Sequence, residues 1–158
     1  MKKSIYLMLA IAAVLSGCDK SEKENEKENE KTASVLESTD YSGTLTVNAS
    51  SGAFDTDSVK VSFNATEKAD SASITLFQVK FSPRMPVSLD VTIPGISVSK
   101  TEKGAILTCD SIVPLAMGGQ YPNYTVKGFE GEITDNELTF SLNFGSTPTS
   151  CRGKAVAK

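Results

Sequence analysis

From Tyr41 onward apolar and polar residues alternate with a period of two, the mark of half-buried β-strands. Tyr41, Gly43, Leu45 and Val47 alternate with Ser42, Thr44, Thr46 and Asn48. After a loop, Val59, Val61 and Phe63 alternate with Lys60 and Ser62, and the two runs pair naturally as a first hairpin. Ala72, Ile74 and Leu76 occupy even positions, but Phe77, Val79 and Phe81 occupy odd ones, so one face holds both sets only if a residue is inserted. A β-bulge is therefore expected near Leu76 to Phe77. Met85, Val87, Leu89, Val91 and Ile93 predict another strand, ended by a turn at Pro94-Gly95, with Ile96 and Val98 resuming beyond it. Phe129, Gly131 and Ile133, then Thr134-Asp135-Asn136-Glu137, then Leu138, Phe140, Leu142 and Phe144 give the clearest hairpin. Seven to nine short antiparallel strands with almost no helix indicate an all-β sandwich or closed barrel, and a barrel removes edges that would otherwise invite aggregation.

The chain ahead of this region has a different pattern. Met1-Lys2-Lys3 is positive, Ile5 to Leu15 is almost wholly apolar, and small residues precede a cysteine in Leu15-Ser16-Gly17-Cys18. An apolar run of about a dozen residues falls short of the roughly 20 a membrane-spanning helix needs and reads as a secretion signal over residues 1–17. The Leu-Ser-Gly-Cys ending resembles the bacterial lipobox, which implies acylation of Cys18 and attachment to a membrane through an N-terminal lipid. Several acyl chains make such anchorage effectively permanent, where a single chain is reversible. Residues 18–40 contain Lys23-Glu24-Asn25-Glu26 and its near repeat Lys27-Glu28-Asn29-Glu30, with no apolar face to bury, and are expected to form a flexible acidic linker. Acids soon after a lipidated cysteine also resemble the surface-export signal of Bacteroidetes lipoproteins. Asp19, directly after Cys18, resembles instead the enterobacterial signal for inner-membrane retention. The outer membrane is the favoured destination, on its periplasmic or its external side.

Charge and residue type narrow the chemistry of the remaining domain, residues 41–158. It carries eleven acids and ten bases, so it has no basic bias and nucleic acid is not an expected partner. The chain has no histidine, which removes the commonest general base, the usual zinc ligand and every histidine-dependent triad. No catalytic residue, metal site or cofactor is implied, and an enzyme is not expected. Glu130 and Glu132 share a strand face about 7 Å apart, but their alternation with Phe129 and Ile133 is that of a solvent face. Asp55-Thr56-Asp57 in a loop could give a cation two oxygens, too few for calcium, and suits turn chemistry better. Cys109 and Cys151 are left over once Cys18 is acylated, and outside the cytoplasm two such residues are expected to pair as a disulfide.

The segments Tyr41-Ser-Gly-Thr-Leu-Thr-Val, Phe77-Gln-Val-Lys-Phe, Met85-Pro, Val91-Thr-Ile-Pro-Gly-Ile and Gly128-Phe-Glu-Gly-Glu-Ile-Thr-Asp-Asn-Glu-Leu-Thr-Phe-Ser-Leu resemble the calycin-like β-barrel lipoproteins of gut Bacteroidetes. The resemblance spans most of residues 41–145 and implies an antiparallel up-and-down barrel of about eight strands, in a family of undefined function. The chain has no tryptophan, so the glycine-x-tryptophan signature of true lipocalins is missing and their ligands are not carried over. Asp57-Ser58-Val59, Asp70-Ser71-Ala72 and Asp110-Ser111-Ile112 resemble the Bacteroidetes O-glycosylation motif, which makes Ser58, Ser71 and Ser111 candidate acceptors, those in loops favoured. Two functions follow as expectations. The first is a membrane-anchored lipoprotein whose barrel binds a small apolar ligand. The second is a surface interaction protein, adhesin, glycan-binding or inhibitor-like, with a filled barrel and functional loops such as residues 114–123.

Overall fold

The alternating pattern is realised as ten strands in a computed structural model, which describes residues 36–68 and 70–157. The expected secretion signal, Cys18 and most of the expected linker lie outside the described residues. The strands are β1 (Thr39–Ala49), β2 (Gly52–Ala65), β3 (Ser71–Val79), β4 (Leu89–Lys100), β5 (Gly104–Ile112), β6 (Leu115–Ala116), β7 (Gly119–Gln120), β8 (Val126–Thr134), β9 (Glu137–Phe144) and β10 (Thr147–Ala155). Eight of them form a closed antiparallel ring in the order β3-β2-β1-β10-β9-β8-β5-β4, sealed by the pairing of β3 with β4. The short β6–β7 hairpin hangs from β4 through Val91↔Ala116 and Thr92↔Leu115. The fold is thus an all-β, up-and-down, eight-stranded barrel.

Closure depends on the first strand meeting the last. β1 and β10 pair over seven positions, from Tyr41↔Ala155 to Val47↔Thr149. At the middle of that seam Gly43 stands opposite Gly153. A Cβ on Gly43 would lie 2.0 Å from the Arg152 carbonyl oxygen and 2.3 Å from the Gly153 Cα, so only glycine permits this approach.

Inward positions form one core. Leu45, Val47, Val61, Ile74, Leu76, Ile93, Ile96, Leu107 and Leu138 are completely inaccessible, and Phe63, Phe129 and Phe144 nearly so. The outward face is polar: Thr44, Thr46, Lys60, Thr92, Glu130, Glu132, Thr139, Ser141, Ser150 and Arg152 all point away from that core. A barrel that spans a bilayer shows the opposite arrangement, an apolar band about 25 Å tall on its outside. This barrel therefore holds its apolar surface for itself.

Several irregularities depart from the sequence-based expectation. The bulge expected near Leu76 to Phe77 is present, with Phe77 and Gln78 inserted between the pairs Leu76↔Val91 and Val79↔Leu89. A second bulge lies on β2, where Asp57 and Ser58 are accommodated between Leu45↔Thr56 and Gly43↔Val59. Ser58 (φ 58°) and Gln78 (φ 53°) both adopt the left-handed region, at a cost of roughly 1–3 kcal/mol each. Asp55-Thr56-Asp57 is consequently part of a strand, not the loop expected for it. Pro94-Gly95 does not turn the chain: β4 runs through it with a bulge against β3, and Gly95 takes φ 67°. Met85 and Val87 are not in a strand, because Pro83 and Pro86 remove main-chain donors on either side of Met85.

The seam gives a direct test. Gly43→Ala should destabilise the barrel by about 3 kcal/mol in urea unfolding, since backbone must move to admit the methyl group. Gly119→Ala, where an added Cβ meets nothing within 4 Å, should leave the midpoint almost unchanged.

Candidate functional site

The interior is occupied by side chains contributed by all eight wall strands. Both ends are also furnished. At the end carrying the β1–β2 turn, here the upper end, Phe81 packs on Phe144 with centroids 4.4 Å apart and on Tyr124 at 5.4 Å. Tyr124 stacks in turn on Tyr121 at 5.3 Å. Tyr121 comes from the connection that the sequence singled out as residues 114–123, and Tyr124 directly follows it; the stretch folds as β6, β7 and a 3-10 turn over Pro122–Tyr124. At the lower end Leu36 packs against the core beside a cavity of about 170 Å³ lined by Phe63, Ala65, Val98, Lys68 and Lys100.

Larger clefts lie on the outside of the wall. One, of about 550 Å³, is a saddle over β1, β10, β9 and β8, with Thr44, Thr46, Thr139, Ser141 and Ser150 on its floor and Glu130, Glu132 and Arg152 along it. Glu130 and Glu132 are thus solvent-facing, as their alternation implied. Arg152 is held by both carboxylate oxygens of Glu137, the Nη2–Oε2 distance being 3.2 Å. That contact holds the Glu137 carboxyl below the ordinary carboxylate range and raises the guanidinium. The second cleft, of about 460 Å³, lies between the two bulges and is lined by Thr56 to Lys60, Phe77, Gln78 and Asp90. In it the Lys60 ammonium sits 5.2 Å over the Phe77 ring and 3.0 Å from Asp40.

The disulfide expected from cysteine count is not formed: Cys109 and Cys151 are both free thiols. Their strands, β5 and β10, are separated in the wall by β8 and β9. Three strand steps of about 4.8 Å carry the Cα atoms past the roughly 7 Å limit for a disulfide. Cysteine parity carries no information about strand order. Burial pushes the Cys151 thiol up to about 12. Burial also raises Cys109, an effect lessened by its hydrogen bond with the Phe129 backbone and reinforced by the Asp110 charge.

The candidate acceptor serines differ in exposure. Ser58 is exposed on the β2 bulge and Ser111 is exposed on β5 opposite Lys127. Ser71 is half-buried, its N–H donating to the Lys68 carbonyl at 3.1 Å and its own carbonyl accepting from Thr66. All three lie in strands, not the loops favoured from sequence. Among the described residues there is no group of three or more His, Cys, Asp or Glu that could hold a metal ion.

The class this geometry defines is a closed, eight-stranded antiparallel β-barrel with a polar outer wall. No protein-family model and no curated protein matches the chain. Among solved structures the chain is similar to a putative outer membrane protein of Bacteroides fragilis, with a TM-score of 0.52 and 21% identity. The match covers 74% of this chain and 50% of that one, so this chain spans about half of that neighbour's length. At this identity the likeness concerns the fold.

The buried Cys151 thiol dominates the alkaline behaviour. A thiol whose folded pKa lies above its ordinary 9.0 contributes stability that is complete below pH 9 and is lost as pH rises toward 12. Urea midpoints measured across this range should fall, and in Cys151→Ala they should fall less steeply, the remainder coming from Cys109 and Tyr41, whose hydroxyl burial also raises. At neutral pH the buried Cys151 should resist alkylation until urea is added, whereas the half-buried Cys109 should react more readily, as mass spectrometry of the alkylated peptides would show.

Proposed function

We propose that this chain is a lipid-tethered binding module of the outer membrane, whose barrel is a scaffold and whose recognition surface is the outside of the wall. The observation that carries this reading is the occupied interior: inaccessible side chains from every wall strand fill the space in which a barrel of this size would hold one small ligand. The lower cavity, at about 170 Å³, is smaller than the 300–1,000 Å³ typical of small-molecule sites, whereas the larger concavities lie open on the outside of the wall. These volumes favour surface recognition over the small apolar ligand first expected. A barrel lacking histidine, with its thiols buried or half-buried and its carboxylates spread on a solvent face, suits binding better than catalysis.

The polar wall has a consequence for location. Such a wall does not suit contact with lipid, which favours attachment to a membrane through the chain ahead of the barrel. Leu15-Ser16-Gly17-Cys18 supports a lipid at Cys18, and the Bacteroides fragilis neighbour supports the outer membrane. The closed up-and-down strand order supports kinship with calycin-like lipoproteins. Of the three candidate acceptors, exposed Ser58 and Ser111 are the ones a glycosyltransferase could reach without disturbing the wall.

Protein purified from membranes of its own host tests the whole reading. Intact and peptide mass spectrometry should place acyl groups on Cys18, and any hexose on Ser58 or Ser111 in preference to Ser71. Cys18→Ala should move the protein to the soluble fraction with its thermal unfolding unchanged. A small apolar molecule retained in equal stoichiometry by the native protein would overturn the scaffold reading.

A further inference from the structure

The barrel is closed, yet one strand leaves it with a free edge. β2 and β3 pair only from Val61↔Leu76 to Ala65↔Ala72. Beyond Val61, β2 continues to Gly52 paired with β1 alone, over Ala49↔Gly52 to Leu45↔Thr56. Over residues 52–58 the side of β2 away from β1 has no strand partner among the described residues. The bulge on β3 accounts for the parting, since Phe77 and Gln78 are inserted directly after the last pair, and the bulge on β2 at Asp57 and Ser58 lies three residues beyond Val61. Gly52, Ala53, Asp55, Asp57 and Ser58 are exposed, and the outer cleft of about 460 Å³ opens at the foot of this edge.

The edge has one sign of charge. Asp55 and Asp57 stand two residues apart on its outward face, oriented by hydrogen bonds from Thr46 Oγ1 (2.7 Å) and Thr44 Oγ1 (2.8 Å). Asp90 reaches the cleft from β4, accepting the Gln78 N–H at 2.8 Å. A second copy pairing edge to edge would bring these aspartates against their own equivalents, and like charges directly opposite repel. A strand of opposite charge meets no such barrier. The ammonium already in the cleft is that of Lys60, held between the Phe77 ring and Asp40, so cation pairing along the edge falls to Asp55 and Asp57.

We propose that residues 52–58 of β2 accept an extended basic peptide segment as an added strand, its alternate Lys or Arg side chains facing Asp55 and Asp57. This rests on the outer-surface reading above and gives it a partner class. Main-chain hydrogen bonds along the edge supply affinity, and the period-two spacing of the two aspartates matches the spacing of side chains on the incoming strand.

The probes are a short capped peptide alternating lysine with threonine and the same peptide with glutamate in place of lysine, each added to the full-length protein at low salt. The lysine peptide should bind and slow amide hydrogen exchange within residues 52–58, and the glutamate peptide should bind at least about tenfold more weakly. Asp55→Asn with Asp57→Asn, which retains acceptors for both threonines, should weaken the lysine peptide about tenfold while leaving thermal unfolding in place. Absence of binding, binding without protection of that edge, or equal binding by the double variant would each overturn the proposal. Binding at another part of the wall, or of an oligosaccharide in the cleft without edge protection, would overturn it while leaving the outer-surface reading intact. Uptake of the apolar dye anilinonaphthalene sulfonate into the native core would overturn the outer-surface reading itself.

Discussion

The seam between β1 and β10 is the contact on which the rest of the structure depends. Without it the sheet would have two long edges, and the Val, Leu and Phe that line its inner face would lie open to solvent and to other chains. Its seven pairs convert that sheet into a cylinder, so each inward side chain meets partners from across the barrel as well as from neighbouring strands. The seam is made by small residues. Gly43 and Gly153 bring the backbones together where any side chain would separate them, and Cys151, two pairs away on the same face, fills the next core position with a compact apolar group.

Closure also decides where chemistry is available. A cylinder of this circumference is filled by the side chains it turns inward, and the loop aromatics at the upper end and Leu36 at the lower end occupy its mouths. The Cys151 thiol inside is protonated and shielded, whereas the charged side chains of the wall strands face outward. Recognition is thereby confined to a surface rich in Ser, Thr, Asp and Glu. Its shape comes from strand irregularities, because a regular wall is smooth.

Sequence periodicity reveals strands whose inward residues are large and hides those whose inward residues are small. The β8–β9 hairpin was legible because Phe129, Ile133, Leu138, Phe140, Leu142 and Phe144 alternate across a turn at Asp135-Asn136, where both residues adopt the left-handed conformation. β10 was not, since its inward positions are Thr149, Cys151 and Gly153. The bulge on β3 showed itself as a change of parity between Leu76 and Phe77, but the one on β2 falls among Asp55, Thr56, Asp57 and Ser58, where no apolar residue marks the shift. A loop was the natural reading there. The candidate recognition edge was illegible for a further reason: it is defined by where two strands cease to pair, a relation between distant segments that neither segment records alone.

The two left-handed residues beside that edge bear on why it exists. Ser58 and Gln78 are not glycines, so each bulge carries a conformational cost that a plain continuation of the ladder would avoid. A continued ladder would pair β2 and β3 to the top of the wall, as β1 and β10 are paired, and would leave the barrel without an accessible strand edge. The same chain therefore spends small residues to close one seam fully and tolerates strain to leave the neighbouring one part open. Barrels blunt the edges they cannot pair with charge, and Asp55 and Asp57 do so here against copies of the same chain. Charge of a single sign cannot exclude every strand. It excludes acidic and self-like ones, and so turns a hazard of β-structure into a means of selection.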